Sequence, residues 1–339
     1  DSYAQTLEGV EHWPIQALQR SIGPAQDLKA LYEIRSRLQG LKDGPVIVQT
    51  HSSKAGVLGR LGATLSHVKA RVHTVHGFGF HAGKTKLSKR LLKVVEKRSA
   101  KLSDWNLCVS EHDLRLGVRY GLLKEENTSI IHAGVDLDAH ARDSGKGLEL
   151  RRELNIPEDA PVTSTIACLK PQKAPLDFVR FARRVKELVP KAHFIYVGDG
   201  DLKEELLEEI QCSQNLQDCF HFLGWTDRVV DVLSASNVFA LLSLWEGLPR
   251  AIIEARAAEL PCIVTRICGN PEAVKEGVHG MLVPPGRPAS AAEQVVKLFR
   301  APQMLEVLQQ NALEGLDRFH IKHVVPQHIE LYERLLAQP

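Results

Sequence analysis

Residues 241–264 read LLSLWEGLPRAIIEARAAELPCIV: an apolar run, a short polar loop, an amphipathic stretch and a second apolar run. The outer runs are too short for helices, while the stretch between them repeats its apolar residues at helical spacing, so the order is strand, loop, helix, strand. Pro249 stands where the helix opens and suits that place, because a first-turn N–H has no intrahelical partner to lose. The free N–H groups of such a turn can hold a phosphate through hydrogen bonds and the helix dipole. Glu246 lies in the loop and Glu254 in the second turn, eight positions apart. A carboxylate accepts from hydroxyls, which fits Glu254 to a vicinal diol such as a ribose and Glu246 to a second polyol. On spacing alone the plainer reading stands: a helix-surface glutamate and a solvated loop residue.

The same alternation extends in both directions. Short apolar runs at 45–50, 71–76, 106–110, 128–132, 162–168, 193–197, 219–223, 237–242 and 261–265 read as strands. Amphipathic stretches at 54–69, 86–102, 111–120, 175–189, 201–211, 228–235, 249–259, 271–276 and 288–300 read as helices, followed by a helical tail from 303. Strands alternating with helices predict an α/β protein with parallel sheets. The polar, Gly-containing segment 138–155 ends in Pro before a fresh strand and reads as a boundary. Two Rossmann-like lobes facing across a cleft are expected, with ligands at the carboxyl ends of the strands.

The 339 residues suffice for about two domains of ordinary size. With 44% hydrophobic and 25% charged residues, the composition excludes disordered, collagenous and disulfide-scaffold classes. The most apolar long stretch, 229–245, is broken by Asp231, Asn237 and serines, which argues against a membrane span. The opening residues show no basic stretch followed by an apolar run, so a cytoplasmic location is expected. Six cysteines without C-x-x-C spacing read as free thiols. The net charge is +2, but residues 1–140 hold 20 Lys+Arg against 14 Asp+Glu, and residues 141–339 hold 23 against 27. A basic first part hints at an anionic partner.

With its LxSLWEGLP lead-in, EGLPRAIIEARA resembles the E-x7-E signature of the family 4 retaining glycosyltransferases of the GT-B fold. HSSKAGVLGRLGA, HTVHGFGF, CVSEHDL, IIHAGVDLD, LKPQKAPLDFVRFA, FIYVGDGDLKEEL, FLGWTDRVVDVLSASNVF and EAVKEGVHGMLVPPG resemble other segments of that family in the same order, over about 45–339. The resemblance implies transfer of a sugar, with retention, from a nucleotide-diphosphate donor to a polysaccharide, glycolipid or related hydroxyl acceptor. UDP is the default donor nucleotide, and no metal or other cofactor is expected. Domains are expected at 1–140 for the acceptor side and 141–318 for the donor side, with 319–339 as a helix crossing back.

Carried over residue by residue, Glu254 would hold the donor ribose, Glu246 the transferred sugar, and the backbone of Gly247 and Leu248 the distal phosphate. Lys173 matches the family's diphosphate lysine. Five residues earlier the family has an arginine where this chain has Cys168, and a thiol cannot replace a guanidinium. Either Lys173 acts with the helix terminus, or Lys170 substitutes. His76, at a strand end of the first lobe, matches a histidine set against the transferred sugar, and His51 occupies a similar strand end. Ser110, Gly134 and Asp136 read as structural. Asp199-Gly200-Asp201 spells the D-x-D metal clamp of another glycosyltransferase fold, but its place after a strand reads as turn chemistry and an N-cap. The Gly77/Gly79 and Gly198/Gly200 pairs are incomplete dinucleotide fingerprints.

Residues 84–101 carry eight Lys+Arg against Glu96 alone. Leu87, Leu91, Val94 and Val95 recur at helical spacing with Lys86, Lys89, Lys93 and Lys97 opposite. Two readings stay open: a helix packed on its lobe with a solvated basic face, or one lying on an anionic leaflet as a peripheral membrane contact. Nucleic acid is disfavoured because aromatic residues are not interleaved. Compared with the family, a first strand and Gly-rich loop, on the order of 50–60 residues, are expected to be missing from the first lobe. Cys168 and the missing opening make a non-catalytic nucleotide-sugar binder one alternative to the transferase; a GT-B epimerase or phosphorylase is another, against which the E-x7-E block argues.

Overall fold

In the computed structural model, which describes residues 8–19, 21–41, 44–80 and 85–338, the strands form two sheets belonging to two compact units. The first unit holds the described residues up to Cys108, Leu114–Ser129 and those from Glu330 on. The second holds Val109–Asp113 and Ile130–Ile329. The main division thus falls at 129/130, where the sequence reading placed it at 140.

The first unit's elements are α1 (Pro24–Gly40), β1 (Ile47–His51), α2 (Ser53–Leu65), β2 (Ala70–Val75), α3 (Lys86–Ala100), β3 (Trp105–Cys108), α4 (Glu111–Arg119) and β4 (Thr128–Ile130). They build a four-stranded sheet in the order β1-β2-β3-β4, with β1, β2 and β3 paired in parallel. Gly62 lets α2 close on α1, since a Cβ there would come 2.8 Å from Ile34 Cγ2.

The second unit continues with α5 (Ser144–Glu153), β5 (Val162–Ile166), α6 (Pro175–Leu188), β6 (His193–Val197), α7 (Lys203–Cys212), β7 (Phe220–Gly224), α8 (Val229–Ser234), β8 (Val238–Leu241), α9 (Arg250–Ala257), β9 (Cys262–Thr265), α10 (Asn270–Ala273), β10 (Gly280–Val283), α11 (Pro288–Arg300), α12 (Pro302–Gln310) and α13 (Ile321–Ala337). Its six strands are all parallel, in the order β10-β9-β8-β5-β6-β7. All of β8 and β9 is buried, which is why VFAL and CIVT show no polar alternation: helices cover both faces of the sheet. Phe178, Phe181, Phe194, Tyr196 and Phe220 form an aromatic cluster on one face, with Phe178 edge-on to Tyr196 at 5.5 Å. Buried Arg256 ties α9 to the segment after α12 by donating to the carbonyls of Ala312 and Glu314, and to that of Ala273. The last turns of α13 belong to the first unit, where the Tyr332 hydroxyl donates to Gln49 and the Arg334 guanidinium lies 4.1 Å from the Trp105 ring.

Several elements depart from the sequence reading. The segment 138–155, read as linker, contains α5, capped by the Asp143 carboxylate, which accepts from the N–H groups of Gly145 and Lys146. Gly147 lies in its second turn and breaks the pattern, yet the close approach to Ser234 demands it: a Cβ would sit 2.6 Å from that carbonyl. Helix α1 and strand β10 were not read at all. The helical tail divides into α12 and α13. Helix α7 is capped by Leu202, so Asp201 is not its N-cap. Helix α3 turns its apolar stripe outward, with Leu87 77%, Leu91 63%, Val94 47% and Val95 37% exposed, and buries Glu96 and Ser99, which corrects the reading of a helix packed on its lobe by that stripe. Lys84, counted with this stretch in the sequence, lies outside the described residues.

Candidate functional site

In the second unit the strand order reverses direction between β5 and β8. β6 and β7 are added on one side, β8, β9 and β10 on the other, so the loops leaving β5 and β8 diverge and open a crevice at their carboxyl ends. Every donor-side residue singled out in the sequence lies on one of these two loops or on α9. The loop after β5 tightens into a 3-10 turn at Pro171–Lys173 and passes through Ala174 in the left-handed region, φ 47°. The Lys173 ammonium meets Glu246 Oε1 at 2.5 Å, with 18% and 5% of the two side chains exposed. Gln172 clamps the loops together: its amide donates to the Trp245 carbonyl at 2.9 Å, and its own carbonyl accepts from Leu244 N–H at 2.8 Å.

Behind Glu246, the turn Gly247-Leu248 leads to Pro249, which is the N-cap residue itself, and α9 starts at Arg250. Among the described residues the N–H groups of Gly247 and Leu248 meet no acceptor, whereas the Gly247 carbonyl accepts from Gly269 N–H at 3.0 Å. Gly269 is required there, because a Cβ would lie 2.3 Å from that oxygen. Glu254 follows on α9 with 13% of its side chain exposed, 3.7 Å from the Arg250 guanidinium. Leu248 is buried. β5 ends at Ile166, so Lys170 is past the strand and is not held to the far face of the sheet; it is half-buried ahead of the 3-10 turn. Cys168 is half-buried as well. The GDG turn crosses this loop closely: at Gly198, φ 144°, a Cβ would stand 2.0 Å from the Ala167 carbonyl. Those two glycines serve close backbone packing.

In the first unit His51 ends β1 and His76 directly follows the neighbouring strand β2. His51 Nδ1 and His76 Nε2 share a hydrogen bond of 2.9 Å. Desolvation lowers the pKa of both rings below the ordinary imidazole value, although both keep solvent exposure, and in the neutral pair one nitrogen donates and the other accepts. Three residues back along β2, buried His73 shares a hydrogen bond with the Thr50 hydroxyl at 2.9 Å. Burial, then the neighbouring charge of Arg60, push His73 down to about 3. A cavity of about 190 Å³ opens beside these rings, lined by Ser52, Ser53, His73–Phe78 and Glu96. Burial pushes the Glu96 carboxyl up, against the pull of Arg60 and a hydrogen bond from Ser53. The sequence reading missed Gln172 and Glu96. The second had a signal, as the single acid among eight bases.

Ser110 and Asp136 take structural contacts. Ser110 Oγ donates to the buried Asp113 carboxylate at 2.8 Å. Asp136, Asp138 and His320 are close enough together to hold a metal ion. However, Lys322 Nζ already sits 2.6 Å from Asp138, and His320 Nδ1 accepts the Lys322 N–H, which leaves its other nitrogen protonated.

Residues 148–315 match the family described as glycosyl transferases group 1, and residues 5–139 match Glycosyltransferase Family 4. An Escherichia coli relative named UDP-Gal:alpha-D-GlcNAc-diphosphoundecaprenol alpha-1,3-galactosyltransferase is 37% identical over 278 residues, 81% of this chain and 71% of the relative. A Campylobacter jejuni N,N'-diacetylbacillosaminyl-diphospho-undecaprenol alpha-1,3-N-acetylgalactosaminyltransferase is 23% identical over an alignment covering 99% of this chain and 89% of the relative. Among solved structures, the Anabaena protein HepE in complex with UDP-glucose superposes with a TM-score of 0.79 at 19% identity, over 92% of this chain and 84% of that one.

Proposed function

The chain belongs to the family 4 glycosyltransferases, transferases of the GT-B fold, and we propose that it moves a sugar, with retention, from a UDP-sugar to a hydroxyl of a lipid-linked glycan in cell-envelope polysaccharide assembly. The observation that carries this reading is the Lys173–Glu246 pair at the switch point between β5 and β8, with the N–H groups of Gly247 and Leu248, which meet no acceptor among the described residues, beside it and Glu254 in the second turn of α9. UDP as the donor nucleotide is supported by the name of the E. coli relative and the ligand of the Anabaena protein. A lipid-linked acceptor is supported by the diphosphoundecaprenol in the names of the E. coli and C. jejuni relatives.

In this reading Glu254 accepts from the ribose hydroxyls and Glu246 from those of the sugar. Lys173, Lys170 and the Gly247–Leu248 N–H groups meet the diphosphate. As the anomeric carbon–oxygen bond breaks, its electron pair stays with the diphosphate, and donors already aimed at that oxygen lower the barrier. The acceptor oxygen bonds to the anomeric carbon and passes its proton to the departing diphosphate oxygen, which has gained the electron pair. Binding a diphosphate draws the Lys173 ammonium from Glu246 toward phosphate oxygen, which frees the carboxylate for the sugar. Charge on the diphosphate is compensated by these groups rather than by a metal ion. His76, held by His51, meets the transferred sugar as a neutral hydrogen-bonding partner. No described helix is long and apolar enough to cross a membrane; the enzyme meets its acceptor at an anionic membrane surface through the basic stretch of α3.

The test is incubation with UDP-sugars and a diphosphoundecaprenol-linked sugar, with the product's anomeric configuration read by NMR. Transfer with the donor's configuration is expected. Binding of UDP without turnover would make the protein a nucleotide-sugar binder, and phosphate-dependent release of sugar would make it a phosphorylase.

A further inference from the structure

The segment 268–272, the turn after β9 and the start of α10, meets the crevice loop from behind. Gly269 N–H donates to the Gly247 carbonyl, and the Gly247–Leu248 peptide is trans. In a planar trans peptide the carbonyl of Gly247 and the N–H of Leu248 point in opposite directions, so holding the oxygen fixes where that N–H aims. The Leu248 N–H meets no acceptor among the described residues. One residue before Gly269, Cys268 takes φ 42°, in the left-handed region that a side chain disfavours. Burial pushes its thiol up, while the Glu246 N–H, within hydrogen-bond reach of the sulfur, pulls the other way. The segment therefore touches the crevice loop at two neighbouring residues. A residue in so rare a conformation keeps it only where its surroundings hold it.

Three contacts supply the hold. The buried Asn270 side chain donates to the Thr265 carbonyl at 2.9 Å. Arg318 donates to the Glu272 carbonyl. The Glu272 carboxylate accepts the first two N–H groups of α4, Glu111 at Oε2 and His112 at Oε1, each at 2.9 Å. Those N–H groups have no acceptor inside the helix, and a carboxylate there also meets the positive end of the helix dipole. Val109–Asp113 belong with Glu272 to the second unit. Ser110, fully buried, lies against the segment: its Cβ stands 3.1 Å from where a Cβ on Gly269 would be. Its hydroxyl accepts from Asp113 N–H at 3.1 Å and donates to the Asp113 carboxylate, which locks its place at the helix start.

We propose that Glu272 is a positioning residue for transfer: gripping the first turn of α4, it pins 268–272 against Ser110, so that the Gly269 N–H holds the Gly247 carbonyl and the Leu248 N–H stays aimed at the departing diphosphate oxygen. The inference rests on the reading above and adds to it a residue that acts without touching substrate. A donor already aimed stabilises the charge that gathers as the bond breaks more than it stabilises the bound ground state. Loosening it lowers kcat more than it weakens donor binding, which Glu254 and Lys173 carry.

The experiment measures steady-state transfer from a UDP-sugar by the whole chain, with UDP titrated calorimetrically on the same samples to count working sites. Glu272→Ala should lower kcat about 10–100-fold with donor KM within about threefold, and Glu272→Gln, which keeps one acceptor oxygen, should recover part of the loss. Ser110→Ala controls for a merely loosened helix end. It removes the hydroxyl on Asp113 and leaves the Cβ against Gly269, so kcat should stay near that of the wild type. A rise in KM without loss of kcat would overturn the proposal. So would a UDP stoichiometry that falls in step with kcat, because the folded fraction would then explain the loss, or equal losses in Ser110→Ala and Glu272→Ala. A chain carrying isotope-labelled leucine separates this claim from the transferase reading, the Leu248 amide resonance being identified by its absence in Leu248→Met. Glu272→Ala should move that resonance and shrink its response to UDP. If the wild type binds UDP without transfer, the transferase reading falls and the resonance still decides the positioning claim. If transfer occurs and Glu272→Ala leaves kcat and the resonance unchanged, the positioning claim falls alone.

Discussion

The two sheets end in differently built groups. At the carboxyl ends of β5 and β8 the second unit places an ion pair, Lys173 with Glu246, beside backbone N–H groups that meet no acceptor among the described residues. At the ends of β1 and β2 the first unit places imidazoles whose pKa is lowered, His51 on His76 with buried His73 beneath. One group is arranged for charge and the other for uncharged hydrogen bonds. A diphosphate that gains charge as a bond breaks needs the first, while sugar hydroxyls can be read by the second.

Substitution should separate the two. Lys173→Ala is expected to have the largest effect, lowering kcat about 100–1000-fold because it removes a preorganised cation and leaves Glu246 buried without its partner. Lys170→Ala, with no such partner to strand, should cost about tenfold; steady-state kinetics on both variants would rank them. Next, His76→Ala should lower transfer about 10–100-fold by removing a hydrogen bond to the sugar, and His51→Ala less, because its ring only orients His76. Equal losses would mean that His51 also touches substrate.

Gly269→Ala forces a methyl against the Gly247 carbonyl, and about 1–3 kcal/mol of stability should be lost, read as a fall in the midpoint of urea unfolding. The smallest effects are in pH dependence, and their signs differ. His73 is held near 3 in the fold against 6.5 when unfolded, so its contribution is present above pH 6.5 and is lost as pH falls toward 3. Asp113 is pushed up to about 7, chiefly by burial, against 3.8 unfolded, so its contribution is full below 3.8 and is lost as pH rises through 7. Denaturation at a series of pH values should show His73→Gln flattening the acid side and Asp113→Asn the neutral side.

Much of this was legible along the chain. Nine strands were readable because each is a short apolar run between turn residues, and the α/β alternation followed from them. α5 was not, because Gly145 and Gly147 erase its pattern and the reason for Gly147 is a contact with Ser234, far along the chain. β10 escaped because it is four residues long, opening on a glycine that its neighbour strand requires: a Cβ at Gly280 would lie 1.9 Å from the Cys262 carbonyl. Lys173 and Glu246 could each be singled out locally, but their pairing depends on β5 lying beside β8, which no local pattern encodes. The stripe on α3 was visible as a period of apolar residues. Periodicity tells that a helix has two faces and not which of them turns inward.

The claim that the crevice between β5 and β8 is a UDP site is tested most directly by calorimetric titration of the wild-type chain and Glu254→Ala with UDP, GDP and ADP. The account predicts that UDP binds most tightly and that Glu254→Ala weakens it about 10–100-fold, the loss of hydrogen bonds from ribose hydroxyls to a carboxylate. UDP affinity unchanged by that substitution, or no preference among the three nucleotides, would contradict it.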